Sequence, residues 1–217
     1  RKHLNKSKPE ATKSSAWSDY MNSNNYTTEQ IGAKHAFIED LLTEYKPKRV
    51  LDVGCNTGYF SAIAARSGAA VVAIDYDPVV VGSVWRKASK DELDILPLVV
   101  NITRPSPAAG WRNMECQSFL DRARGSFDAV FMLAVIHHML VTERIPLDEI
   151  LDLAAEITTD ILAVEYVSPD DSMFRRLTRG RDKLFEYLNT DVFEMSCRRH
   201  FEIIRVQHLD NTERWLY

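Results

Sequence analysis

Glycine is sparse in this chain, 8 among 217 residues, and cysteine is sparser still, at 3. Cys55, Cys116 and Cys197 are far apart and odd in number, so neither a disulfide framework nor a metal or redox spacing is present. A reducing cytoplasm is the expected setting. No apolar run nears the ~18–20 residues of a membrane span. The start, RKHLNKSKPEATKSS, lacks the apolar core of a secretory signal. Because the chain opens on Arg1 rather than Met, one expectation is that it is a domain of a longer protein. A large charge excess is also missing. The net charge of -4 argues against a surface generally coated with nucleic acid.

Apolar residues make up 45% and charged residues 27%, the balance of an ordinary globule, and the length suits one domain with appended pieces. Residues 1–15 are basic and aperiodic, which predicts a disordered tail; a nucleic-acid or partner arm is the alternative reading. Residues 16–217 are expected to form a single domain. Its first part, 16–46, is read as a helical lid carrying Trp17, Tyr20 and Tyr26. Within it, Thr27 and Gln30 make a capping box before an apolar 3.6-residue repeat that ends at Pro47.

From residue 49 the pattern alternates. Strands are predicted at 49–53, 70–75, 95–102, 127–135 and 160–167, with helices at 58–67, from Pro78, near 115–124, and at 146–157. Strands this apolar, separated by helices, imply a parallel sheet buried on both faces. After residue 168 the rhythm breaks. Helices at 170–178 and 182–199 form an insert (168–200), and 201–209 with 212–217 read as an antiparallel hairpin. The fold class is therefore α/β: a doubly wound, seven-stranded, mostly parallel sheet with an antiparallel C-terminal hairpin and helices on both faces.

The scarce glycines gain meaning from where two of them fall. VLDVGCNTGYF (50–60) is a buried strand ending in Asp52, then a turn holding Gly54 and Gly58. In doubly wound sheets ligands bind beyond the carboxyl ends of strands, where the winding reverses. Glycine there lets backbone approach a ligand, and the following helix N-terminus favours a negative group. The dinucleotide fingerprint G-x-G-x-x-G does not fit the spacing, which disfavours a nicotinamide enzyme.

The motif instead resembles the first motif of class I S-adenosylmethionine-dependent methyltransferases, with Asn56 standing where the middle glycine falls. That resemblance, spanning about residues 30–167, implies S-adenosylmethionine as cofactor. It assigns Asp52, Gly54, Cys55, Asn56 and Gly58 to the first strand's turn. Asp75, with Tyr76 beside it, is implied as the ribose acid at the second strand's tip, about 20 residues after Gly54. Asn101 and Ile102 are implied at the adenine: an amide to the exocyclic amine or a ring nitrogen, and an apolar face. LAVIHH (133–138) places Leu133 near the methionine half. The segments PSPAAGW, LAVIHH and VEYVSPDDSMF are also similar to bacterial methyltransferase-like proteins grouped with nodulation or natural-product enzymes.

Acceptor-side candidates follow from what methyl transfer needs. A hydroxyl or protonated amine requires a base, whereas a neutral amine or soft sulfur does not. His137, His138 and Glu165 are the catalytic candidates, with at most one histidine facing inward. The three together are one metal-ligand alternative, and no metal is assigned. Tyr26, Trp111 and Arg175 are the substrate candidates. Arg175 belongs to an arginine-rich insert whose acids nearly balance its charge. The expected function is methyl transfer to a small molecule, most simply to oxygen. An RNA- or protein-directed enzyme and a catalytically silent cofactor-binding subunit are the alternatives. An aromatic-proline motif for adenine-amine methylation is missing after the fourth strand.

Overall fold

Residues 26–217 are described in the computed structural model, so the basic tail, Trp17 and Tyr20 lie outside the described residues. Thr27 caps helix α1 (Thr28–Tyr45) through the reciprocal capping box with Gln30. Then come β1 (Arg49–Val53), α2 (Tyr59–Arg66), β2 (Ala70–Asp75), α3 (Pro78–Lys90) and β3 (Ile95–Val99). Asp77 caps α3, its carboxylate accepting from Val79 N, with Pro78 in the first turn. A short 3₁₀ turn (Trp111–Asn113) precedes α4 (Phe119–Ala123), β4 (Phe127–Met132), α5 (Ile136–Val141), α6 (Leu147–Ile157) and β5 (Thr158–Val167). The chain ends with α7 (Ser172–Thr178), a 3₁₀ turn (Asp182–Phe185), α8 (Thr190–Cys197), β6 (Gln207–His208) and β7 (Arg214–Leu216).

The seven strands form one sheet in the order β3-β2-β1-β4-β5-β7-β6. β1 to β5 are parallel, while β7 runs antiparallel to both β5 and β6. The winding reverses at β1, whose neighbours are β2 on one side and β4 on the other. Pro97 sits inside β3, where its missing N–H is tolerated because β3 is an outer strand.

Strand alternation divides the core into two layers. Val50, Ala129, Phe131 and Ala163 face one way, against Phe37, Ile38, Leu41 and Leu42 of α1. Leu51, Val53, Val130, Met132 and Val164 face the other way, against α5, α6 and the insert residues Phe174 and Phe193. Helix α1, grouped with a lid in the sequence reading, is thus a packed core element.

Several boundaries differ from expectation. The third strand stops at Val99, so Asn101 and Ile102 lie in the turn beyond it. There the Asn101 Oδ1 accepts from Thr103 N at 3.0 Å and Thr103 Oγ1 at 2.7 Å, a local bond that competes with strand pairing. The fourth strand ends at Met132, because Ala134 turns the backbone left-handed at φ 53°. The terminal hairpin pairs only over its last residues, and the long helix expected at 182–199 is a 3₁₀ turn followed by α8.

Candidate active site

The turn after β1 is left-handed at Gly54 (φ 70°), Asn56 (φ 48°) and Gly58 (φ 72°). Asparagine tolerates that region better than most residues, which is how it replaces a glycine here. The two glycines are needed for different contacts. A Cβ on Gly54 would stand 3.1 Å from Val135 Cγ2, and one on Gly58 would stand 2.9 Å from Val84 Cγ2 on α3. Gly58 is therefore a packing glycine. It borders neither cavity described below, contrary to its assignment as a ligand contact.

The N–H groups of this turn are already engaged. Gly54 N and Cys55 N donate to Ile74 O, and Gly58 N donates to Cys55 O. Asn56 N donates to Asp75 Oδ2 at 3.1 Å, and Thr57 N donates to Asn56 Oδ1 at 2.7 Å. Five successive donors are satisfied by the protein, so the loop is not a phosphate cradle. The anion expected at the N-terminus of α2 is the chain's own Asp52. It accepts from Ser61 Oγ at 2.5 Å and is fully buried, which pushes its pKa up to about 6.

Above the turn lies a cavity of about 390 Å³, bordered by Gly54, Asn56, Asp75, Tyr76, Asn101, Ile102, Leu133 and His138. A smaller space of about 60 Å³ adjoins it through Gly54, Asn56, Leu133 and Ala134, and it is bordered by Tyr26, Lys34, Asp52 and Cys55. Asp75 is 8% exposed and has no cationic partner among the described residues. Its oxygens accept from Asn56 N and from Asp77 N at 3.0 Å, and burial holds its pKa above the ordinary value. Each oxygen keeps a lone pair for a donor arriving from the cavity. Burial raises the Cys55 thiol far above its usual range, so it stays protonated.

The acceptor-side candidates separate. His138 borders the large cavity, and burial followed by the nearby Arg214 lowers its pKa to about 4. His137 does not border it. Its ring is buried, 4.3 Å from that of His138, and its Nδ1 has no hydrogen-bond partner among the described residues. Glu165 also faces no cavity, because it is spent inside the protein. Lys34 Nζ donates to Glu165 Oε2 at 2.6 Å, the Tyr26 hydroxyl donates to Oε1, and Arg214 stands 3.6 Å away. Arg214 in turn binds Asp171 at 2.8 Å. Two cations and two carboxylates thus balance underneath the smaller space. Of the substrate candidates, Tyr26 borders that space. Trp111 is 78% exposed, and Arg175 pairs at the surface with Asp170 at 2.5 Å; neither borders a cavity. Among the described residues no group of His, Cys, Asp or Glu is arranged to hold a metal ion.

Comparison with known proteins agrees with this geometry. The model of a methyltransferase domain family matches residues 51–157. Residues 51–157 thus form a methyltransferase domain, in keeping with a class I S-adenosylmethionine-dependent methyltransferase. The nodulation protein NoeA of Rhizobium meliloti (strain 1021) is 29% identical over 211 residues, covering 97% of this chain and 44% of its own length. This methyltransferase chain therefore spans less than half of that relative. Among solved structures, the N-methyltransferase NodS of Bradyrhizobium japonicum WM9, in complex with S-adenosyl-L-homocysteine, is 14% identical with a TM-score of 0.62, over 99% of this chain and 94% of its own. An S-adenosylmethionine-dependent methyltransferase of Aquifex aeolicus is 19% identical with a TM-score of 0.54, over 82% and 86%. At those identities the likeness is one of fold.

Sequence reasoning missed several site residues. Lys34 sits in the apolar stripe of α1 between Ile31 and Ile38, and a lysine at a buried helical position was the available signal. Ala134, Met139, Thr142, Glu143 and Leu177 also border the large cavity, as does Arg179 of the arginine-rich insert. Only tertiary packing brings the last two there.

Proposed function

We propose that this methyltransferase moves the methyl group of S-adenosylmethionine to a hydroxyl of a small-molecule acceptor. Asp75 carries the reading: a buried carboxylate, paired with no cation among the described residues, faces a cavity beside a turn stripped of side-chain bulk. In this reading Asp75 accepts hydrogen bonds from the ribose hydroxyls. With its Oδ1 held by Thr103, Asn101 offers an N–H donor to a ring nitrogen, and Ile102 and Tyr76 flank the ring. The occupied N–H groups of the turn favour a nucleoside over a dinucleotide, whose phosphates would need them.

When bound, the cofactor supplies a methyl group already activated on a sulfonium. What remains for the chain is orientation, exclusion of water and a place for the acceptor's proton, and holding both reactants together contributes roughly 7–11 kcal/mol. His138, neutral because it is buried, is the group placed to take that proton. The small-molecule assignment is supported by the surface arginines. Arg175, Arg198 and Arg199 are held by Asp170, Glu194 and Asp148, which takes three of the insert's arginines away from an open basic face. A reducing cytoplasm is the proposed setting, in keeping with three free thiols.

Titration calorimetry with S-adenosylhomocysteine tests the cofactor half. Saturable binding weakened at least about tenfold by Asp75→Ala is expected. Incubation with methyl-labelled cofactor and fractionated extract tests the acceptor half, and a labelled methyl ether is the expected product.

A further inference from the structure

Arg179 is placed unlike the other arginines of the insert. Arg175, Arg198 and Arg199 hold carboxylates, Arg181 Nε donates to Thr178 O at 2.9 Å, and Arg176 is exposed and borders neither cavity. Arg179 borders the large cavity, and among the described residues no hydrogen bond or ion pair engages it. It ends α7 in a left-handed conformation, φ 51° and ψ 47°, immediately before Gly180. Glycine or asparagine adopts that conformation more readily than arginine. Lys46 closes α1 in the same conformation, so what singles Arg179 out is its place on the cavity wall.

The surroundings leave the charge of Arg179 uncompensated. Glu143, the carboxylate on the same wall, already accepts from Arg104 at 2.9 Å. His138 is neutral, and the adjoining Leu177 and Met139 are apolar. Helix α7 packs on α5, and Arg179 and His138 border the same cavity. Arg179 is exposed at the edge of the cavity, and a planar guanidinium placed there recognises carboxylate or phosphate through paired charged hydrogen bonds.

We propose that Arg179 is a specificity residue that clamps an anionic group of the methyl acceptor, so that the substrate is a small molecule bearing a carboxylate or a phosphate. This rests on the proposed function above. It adds the substrate class, and it assigns Arg179 a binding role rather than a catalytic one.

The test follows the ring protons of His138 by NMR while inorganic phosphate or acetate is titrated at constant ionic strength, with and without S-adenosylhomocysteine. Wild type should show a saturable shift, and Arg179→Gly should weaken it at least about tenfold, the loss of one charged pair. Glycine suits the left-handed backbone, so that variant should fold and melt as wild type does. Arg179→Lys should keep part of the response, and Arg176→Gly should keep all of it. A response to phosphate alone assigns a phosphorylated acceptor, and one to acetate alone a carboxylate. No saturable response, or the same response in Arg179→Gly, overturns the clamp. Absence of S-adenosylhomocysteine binding overturns the cofactor reading separately, because the anion titration without it still reports on Arg179.

Discussion

Lys34 Nζ and Glu165 Oε2 are 2.6 Å apart, both side chains nearly or fully buried, joining α1 to β5 across 131 residues of sequence. Arg214 and Asp171 extend the pair into a balanced group of four charges, and Tyr26 bonds to both Glu165 and Arg214. Breaking such a group on one side leaves a buried charge without its counterpart. Glu165→Ala strands Lys34, while Arg214 keeps Asp171, and should cost about 3–5 kcal/mol of unfolding free energy, read from urea denaturation. Lys34→Met with Glu165→Gln together should cost much less, because no charge is then orphaned. Equal costs for the single and double changes would show that the group is solvated rather than buried.

The two turn glycines should respond differently to a methyl group. Gly58→Ala meets Val84 at 2.9 and 3.0 Å, in backbone at φ 72°. Overpacking and the left-handed strain together should cost about 2–4 kcal/mol of stability with little change in S-adenosylhomocysteine affinity. Val84→Ala in the same chain should return the steric part, which a double-mutant cycle measures. Gly54→Ala meets Val135 at 3.1 Å and also fills space at the mouth of both cavities, so it should weaken binding as well. Loss of affinity in Gly58→Ala alone would return that residue to the ligand.

Two buried groups make stability depend on pH in opposite senses. Asp52 is raised from the ordinary 3.8 to about 6, chiefly by burial. Its protonated form is favoured in the fold, so its contribution is fully present below pH 3.8 and is lost as pH rises through about 6. His138 is lowered from 6.5 to about 4, again chiefly by burial. Its contribution is present above pH 6.5 and is lost as pH falls through about 4. Each is worth roughly 3 kcal/mol, so the two slopes largely cancel between pH 4 and 6. Asp52→Asn should make stability climb more steeply over that range, and His138→Gln should make it fall. Urea unfolding at half-unit pH steps measures both. A constant offset for either variant would mean that the group titrates alike folded and unfolded.

The turn after β1 was readable because its signals are local. An apolar strand, an acid, two glycines and an asparagine dictate a tight left-handed corner whatever surrounds them. The Asp77-Pro78 start of α3 and the capping box of α1 are legible for the same reason, since capping bonds span only two or three residues. Glu165 was legible only as an acid in an apolar strand. Its partners on α1 and β7 are brought in by topology, so a buried counter-ion read as a catalytic group. Arg175 and Arg179 lie four residues apart in one basic segment. Which of them meets the cavity depends on where α7 ends, and composition does not carry that.

His137 and His138 should separate in function despite being adjacent. His138 borders the cavity, whereas His137 is buried behind it. His138→Ala should lower labelled methyl transfer by about 10²–10⁴-fold, the usual span for losing a positioned proton acceptor. His137→Ala should act mainly through stability, by removing a packed ring and filling nothing in its place. Because burial holds His138 near pH 4, its imidazole is already neutral above pH 5. The rate should then be flat from pH 5 to 8 as far as His138 is concerned. A limb near pH 6.5 that vanishes in His138→Ala would show an imidazole open to water, and an unchanged rate in that variant would remove it from the chemistry and favour an acceptor that needs no base.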